Sequence, residues 1–258
     1  MALGLDPGIE ILQSICEQKP TLLEDVKESL ETDSDALAHA NERMQSEQNF
    51  FQEIVNRAPD RSNPILVSKN AISEDLSLQA LIRILNPDVL VCYGTSIIRE
   101  PLLTDFRGRF LNIHLGLSPY YRGSATNFWP LVYCEPELVG ATFMHIDSGV
   151  DTGEVVHQIR ARIFPDDTPH TIGNRLIEDV TGTAGSVIRK LSEMRSVAQS
   201  SINHNLREEK VFRRRDFSGA AVRKLRANFA NGLLEEYCSN KNQRDQAVPI
   251  FDQGDFLR

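Results

Sequence analysis

The sequence predicts an α/β protein with an open, mostly parallel sheet and helices on both faces. Three observations carry that reading. Strand-like and helix-like segments alternate between Pro64 and Leu115, the order expected of strand–helix–strand units with right-handed crossovers. The run Asp88–Gly94 (DVLVCYG) is almost wholly apolar, the habit of a parallel strand buried on both faces. Hydrophobic residues make up 41% and charged residues 25% of the 258-residue chain, enough to bury a sizeable core.

The elements follow in order. Residues 8–16 (GIEILQSIC) read as a strand before Pro20, and 21–31 as an acidic, helix-compatible stretch. Asp33 or Ser34 caps a helix from Asp35 to Arg57, with Leu37, Met44, Phe51 and Ile54 near helical spacing and Pro59 as its stop. PILVS (64–68) is a strand. Ser73 is the expected cap of a helix over 74–85 striped with Leu78, Leu81, Ile82 and Leu85, and Asn86-Pro87-Asp88 breaks it. Strands are expected over 88–94 and 110–115, separated by a short turn or helix over 97–105. After a loop at 116–123, a short helix over 125–133 carries Trp129, though Pro130 disfavours it. Residues 139–146 and 154–164 are rich in β-branched residues. A turn-rich link at 147–153 sets them side by side as a hairpin. Thr168 caps a long helix to about Arg195, striped with Ile172, Leu176, Val180, Val187 and Leu191. Residues 198–209 are loop-like. One helix is expected from Ser218 to Tyr237, with Gly232 inside it, and a polar tail from Cys238.

Composition excludes several classes. With 28 Lys and Arg against 36 Asp and Glu, the net charge of −8 lacks the basic field of a nucleic-acid binder. No apolar run approaches the roughly 18 residues of a membrane span. The N-terminus has neither the basic nor the apolar region of a secretory signal, so a cytoplasmic location is expected. The cysteines, Cys16, Cys92, Cys134 and Cys238, form no C-x-x-C pair, so neither a zinc site nor a disulfide framework is expected.

The densest chemical signal is Leu111–Gly123 (LNIHLGLSPYYRG). On a strand, Asn112 and His114 project to one face, so an amide and an imidazole point together. They stand at the C-terminal end of the strand, where open α/β sheets place ligands. Alone, each is better read as a turn former or a satisfied core histidine. Two polar groups on one face of an apolar strand cost free energy unless paired. Asp151 lies in the Gly-flanked turn GVDTG, where turn aspartates are common.

Together, N-x-H at 112–114, S-P-Y-Y-R-G at 118–123 and G-V-D-T-G-E at 149–154 resemble the folate-dependent formyltransferases. That family includes the glycinamide ribonucleotide, methionyl-tRNA and sugar N-formyltransferases, and the resemblance spans roughly residues 60–190. It implies a Rossmann-like sheet of the formyltransferase type and transfer of a formyl group from 10-formyltetrahydrofolate to an amine. Asn112 and His114 would then donate to the developing oxyanion, and Asp151 would orient and support His114. Gly94, Ile97, Ile98 and Asp147 would meet the folate. Ser118, Tyr121 and Arg122 would meet the acceptor, and no metal is implied. Arg213, Arg214 and Arg215 form a basic run better read as a solvated face.

The resemblance divides the chain into an N-terminal strand–helix segment (1–60), a catalytic core (61–197) and a loop–helix C-terminal extension (198–258). The first segment lacks the family's first strand. The extension is too short and too helical for the β-barrel that helps methionyl-tRNA enzymes hold tRNA, so tRNA is the less expected partner. A small amine, such as an amino sugar or its nucleotide, is the expected acceptor, and a homodimer is an allowed assembly. The alternatives are a methionyl-tRNA formyltransferase-like enzyme, a formyltetrahydrofolate hydrolase and a degenerate folate-binding member.

Overall fold

The structure, a computed structural model, describes residues 2–28, 33–57, 64–202 and 207–257. Two short strands, β1 (Ser14–Glu17) and β2 (Pro64–Val67), pair in parallel. Between them run α1 (Leu22–Glu28) and α2 (Ser34–Arg57). Asp33 caps α2, its Oδ1 accepting from Asp35 N at 2.8 Å and Ala36 N at 3.3 Å. The expected stop at Pro59 lies outside the described residues, as does the end of the 21–31 stretch.

Next come α3 (Ala71–Glu74) and α4 (Leu76–Leu85). Asp75, not Ser73, caps α4. Its carboxylate accepts from Ser77 N at 2.8 Å and Leu78 N at 3.1 Å, and an anion suits a helix N-terminus better than a hydroxyl. The Ser73 hydroxyl instead donates to Ile97 O at 3.1 Å and accepts from Arg99 N at 3.0 Å.

The main sheet has the order β3 (Leu90–Tyr93), β4 (Phe110–His114), β6 (Gly140–His145), β7 (Val155–Arg160), with α5 (Leu102–Asp105) between β3 and β4. β4 pairs with β3 in parallel and with β6 antiparallel, and β6 with β7 antiparallel. The sheet is therefore mixed. The link between β6 and β7 is too short for a parallel crossover, and the expected hairpin forms. Parallel pairing recurs where β5 (Tyr121–Gly123) meets β8 (Lys210–Phe212).

Among the described residues no ladder joins β1 and β2 to this sheet. A side chain ties them instead. The Glu17 carboxylate accepts from Asn70 N at 2.8 Å and Ser96 N at 2.7 Å, and pairs with Lys19 at 2.8 Å. Burial opposes its ionisation, yet Lys19 and Ser96 hold its carboxyl below the usual range. β3 is buried on one face only: Cys92 is 4% exposed, whereas Val91 and Tyr93 are 39% and 56% exposed. The expectation of burial on both faces fails because Tyr93 borders an open cleft.

Helices cover both faces of the rest. Leu111 and Ile113 of β4 face a large core shared with α6 (Trp129–Val132), α7 (Pro169–Lys190), α8 (Gly219–Ala230) and α9 (Leu233–Ala247). Phe110 joins Cys92 in a second core with Ile72, Leu78, Ile82 and Leu102. Thr168 and Ser218 cap α7 and α8 as expected. Gly232, at φ 80°, ends the single helix expected over 218–237, and what read as a polar tail is the rest of α9 followed by α10 (Gly254–Leu257).

His39 of α2 is 6% exposed and packs against Phe128, His170 and Phe217. Burial, aided by His170, Arg226 and Arg43, lowers its pKa to about 3. The unfolded chain then takes up this proton before the folded one. Its stabilising contribution is complete above the unfolded value, about 6.5, and is lost as pH falls toward 3. Between about pH 7 and about pH 5 the urea-unfolding free energy should fall, with this group contributing on the order of 2 kcal/mol. His170, His145 and His157, all lowered by burial, add in the same direction. His39→Leu should flatten that slope; a slope identical to wild type would contradict the assignment.

Candidate active site

The C-terminal ends of β3 and β4 open into a cleft of about 1770 Å³. Asn112 and His114 both line it, as strand alternation requires when Leu111 and Ile113 turn to the core. His114 is 7% exposed. Its Nε2 lies 3.1 Å from Tyr121 O, a distance at which it donates to that carbonyl. Gly116 leaves room for this ring, because a Cβ there would stand 2.4 Å from Nε2.

Asp151 closes the group. Its backbone has φ 52°, in the left-handed region that Asp enters more readily than most residues. That turn aims the carboxylate back at β4. Oδ1 accepts from Asn112 Nδ2 at 3.2 Å, Oδ2 accepts from Gly123 N at 2.9 Å, and Oδ2 lies 3.4 Å from His114 Nδ1. One carboxylate therefore gathers an amide, an imidazole and a main-chain N–H. Both ring nitrogens of His114 therefore face oxygens. One N–H of the Asn112 amide stays free of the contact with Asp151.

Around these three, Gly94, Ile97 and Asp147 line the cleft. Gly94 has φ 60° at the end of β3, and Ile97 is 49% exposed. Asp147 braces its own loop, accepting from Gly149 N at 2.9 Å and Thr152 Oγ1 at 2.7 Å. Ile98 differs: its side chain is 2% exposed and packs with Leu102 and Phe106, so it is a core residue at the cleft's floor.

The three residues expected to meet the acceptor do not reach the cleft. Ser118 is fully buried, its N–H donating to Thr142 Oγ1 and its carbonyl accepting from Gln158. Tyr121 is fully buried, and its hydroxyl donates to Glu135, which with burial pushes the phenol far above its usual range. Arg122 pairs with Glu209 at 3.1 Å. The reason is the pairing of β5 with β8, which turns this segment into a buried support. Its neighbours Gly123 to Phe128 line the cleft instead.

The fold also brings to the cleft residues that the sequence left as a solvated face or did not mark. Arg213, Arg214 and Arg215 stand on the cleft wall, where Arg214 is held by Asp25 at 2.9 Å. His145 lines the cleft with its Nδ1 buried and unpartnered among the described residues. Gln199 reaches the Asp151 turn from a polar stretch with no pattern to mark it. His39, Glu42 and His170 offer ligand atoms within 4.8 Å of one another, but the Glu42 carboxylate already holds Arg226 at 2.9 Å.

Residues 15–183 match the formyl transferase family. The chain belongs to that family. The match starts well before the expected position near residue 60, so it takes in β1, α1 and α2. Formyl transferase relatives include the methionyl-tRNA formyltransferase of Anaeromyxobacter dehalogenans, 39% identical over 118 residues, 45% of this chain and 36% of that protein. The methionyl-tRNA formyltransferase of Desulforamulus reducens is 38% identical over 103 residues, 39% of this chain and 32% of that protein. The chain thus spans about a third of the length of these relatives. Among solved formyl transferases, PseJ from Anoxybacillus kamchatkensis aligns with TM-score 0.49 and 20% identity over 69% of this chain and 90% of that one. Asn112, His114 and Asp151 all fall within the formyl transferase match, whereas Gln199 and β8 lie beyond it.

Gly123 serves the site through its backbone. Its φ is 91°, and a Cβ there would lie 2.1 Å from Phe212 O. Gly123→Ala should cost about 1–3 kcal/mol in chemical unfolding. It should also lower turnover by displacing the N–H that Asp151 accepts. A variant as stable and as active as wild type would count against this placement.

Proposed function

We propose that this chain transfers a formyl group from 10-formyltetrahydrofolate to the primary amine of a small acceptor. The observation that carries this reading is the gathering of Asn112, His114 and Asp151 at the mouth of one cleft. Beside them, Tyr93, Ile97 and Val150 present exposed apolar surface to the cleft, 56%, 49% and 44% exposed. That wall suits a flat folate ring. Gly94 and the loop from Asp147 to Asp151 complete the donor side.

In the reaction the acceptor nitrogen attacks the formyl carbon, forming a C–N bond. The carbonyl oxygen becomes an oxyanion. The free N–H of Asn112 donates to it, and His114 does so once the oxyanion replaces Tyr121 O as the partner of its Nε2. Donors placed in advance at developing charge are the largest catalytic contribution in many enzymes. Asp151 holds both donors in place. The tetrahedral intermediate then expels the folate N10, breaking its C–N bond. The proton lost by the amine goes to N10, with Asp151 positioned to relay it through a water.

The far end of the cleft is bounded by α2, the first turn of α7 and residues 213–220. Arg213 and Arg215 make no ion pair among the described residues. Free guanidinium groups there suit an amino sugar carried on an anionic group. The relatives named methionyl-tRNA formyltransferase support a second reading, in which the amine is that of methionyl-tRNA.

The test is release of tetrahydrofolate from 10-formyltetrahydrofolate in three arms: alone, with a panel of amino sugars and their nucleotides, and with methionyl-tRNA. Release that depends on a small amine is expected. Release without any amine would favour hydrolysis, and release with methionyl-tRNA alone would favour the second reading. Silence in every arm would overturn formyl transfer. His114→Asn should abolish turnover with folate binding retained, and Asn112→Ala should lower kcat by about 100-fold.

A further inference from the structure

Asp151 is placed by its own turn only in part. Its backbone carbonyl and that of Gly153 are both met by the chain that follows α7. There the Gln199 side-chain amide donates to Asp151 O at 2.8 Å and to Gly153 O at 3.0 Å. One carboxamide thus spans the turn that holds the left-handed Asp151.

Gln199 is itself held in place. Val197 and Val155 exchange backbone hydrogen bonds at 2.8 and 2.9 Å, so residue 197 lies as a short added strand against the start of β7. Ser196 Oγ donates to Glu154 Oε2 at 2.6 Å, and Ile202 is buried, 5% exposed. Separately, β8 pairs with β5 and fixes Gly123 and Tyr121. Those two residues supply the N–H that Asp151 accepts and the carbonyl that His114 meets. Residues 196–202 and β8 thus each support the group, and both lie outside the family match at 15–183.

We propose that Gln199 is a positioning residue for formyl transfer, acting through Asp151. It fixes the backbone of the turn so that the carboxylate stays on Asn112, His114 and the Gly123 N–H. Without the two donated bonds, Asp151 can leave the left-handed conformation, which costs a non-glycine residue free energy. Its carboxylate then loses its aim. The inference rests on the catalytic reading of Asp151 given above.

The test compares wild type, Gln199→Met, Asp151→Asn and the double variant in the formyl-transfer assay. Gln199→Met keeps the length of the stem and removes both donors. The expected result is a 10- to 100-fold loss of kcat, on the scale of about 1.4–2.7 kcal/mol, with KM for donor and acceptor changed less than about threefold. In the Asp151→Asn background the same substitution should cost less than about threefold. Gln199→Glu, which sets a carboxylate against two carbonyls, should be at least as impaired as Gln199→Met.

Equal losses in both backgrounds would show that Gln199 acts by some route other than Asp151 and would overturn the proposal. So would wild-type kcat in Gln199→Met. Loss of kcat accompanied by an equal loss of folded protein in thermal melts would assign Gln199 a purely structural role, with the same consequence. An inactive wild type refutes the functional reading, whereas an active wild type with a silent Gln199→Met refutes this inference alone.

Discussion

The site depends on the carboxylate of Asp151 and the three groups that face it. A carboxylate only 14% exposed needs hydrogen-bond partners, and here they come from two different strands. Asn112 and His114 stand on β4, and Gly123 ends β5. The carboxylate is thus both a functional group and a rivet between the main sheet and the segment that follows it. Its position in turn requires the left-handed backbone at 151 and glycines at 149 and 153. A Cβ at Gly153 would meet His145 O at 1.7 Å, and one at Gly149 would meet Thr152 Oγ1 at 1.9 Å. The turn can have this shape only because those two positions carry no side chain.

β4 is where the architecture and the chemistry meet. It pairs in parallel with β3 and antiparallel with β6, so its backbone is satisfied on both edges. With the edges fixed, alternation decides the faces. Leu111 and Ile113 enter the large core, and Asn112 and His114 are left to the cleft. Among the described residues, the β1–β2 pair joins this frame through Glu17 rather than through a ladder. A buried, paired carboxylate is a specific link but a less cooperative one than strand pairing. The loop at 94–96 is therefore held by side-chain contacts to Glu17 and Lys19, which makes this side of the cleft depend on the N-terminal segment.

What was legible in the sequence was local. Helices α2, α4 and α7 and strands β3, β4, β6 and β7 fall within a few residues of where periodicity places them, because each is selected by its own apolar pattern. The spacing of Asn112 and His114 was legible for the same reason, since i and i+2 share a face on any strand. Misreadings arose where distant segments decide. Ser118, Tyr121 and Arg122 look like an exposed loop beside a catalytic histidine. Ser118 is buried against Thr142 and Gln158, and Tyr121 and Arg122 are engaged because β8, some ninety positions onward, pairs with β5 and because Glu135 and Glu209 reach them. The helix expected over 218–237 breaks at Gly232 because its left-handed backbone is a conformation that glycine adopts at little cost. No local pattern marks Gln199, whose partners lie on a turn nearly fifty residues earlier.

Charge placement makes the same point at the far end of the cleft. The chain is acidic overall, yet its cleft wall gathers arginines from 213 to 223. Most of that charge is spoken for. Arg214 pairs with Asp25, Arg223 with Asp33 and Asp35, and Arg226 with Asp35 and Glu42. These pairs lace α1 to the turn before α8 and α2 to α8 itself, and as a network of exposed charges they orient the helices more than they stabilise them. The Asp33 carboxylate also sits against Gly219 at the start of α8, where a Cβ would come within 1.9 Å of it. The anion-attracting helix terminus is thus already filled by the protein's own carboxylate. Of these arginines, Arg213 and Arg215 make no ion pair among the described residues. Net charge, which averages over the whole surface, carries no trace of so local a feature, and only the fold separates the arginines that bind helices from those that face the cleft.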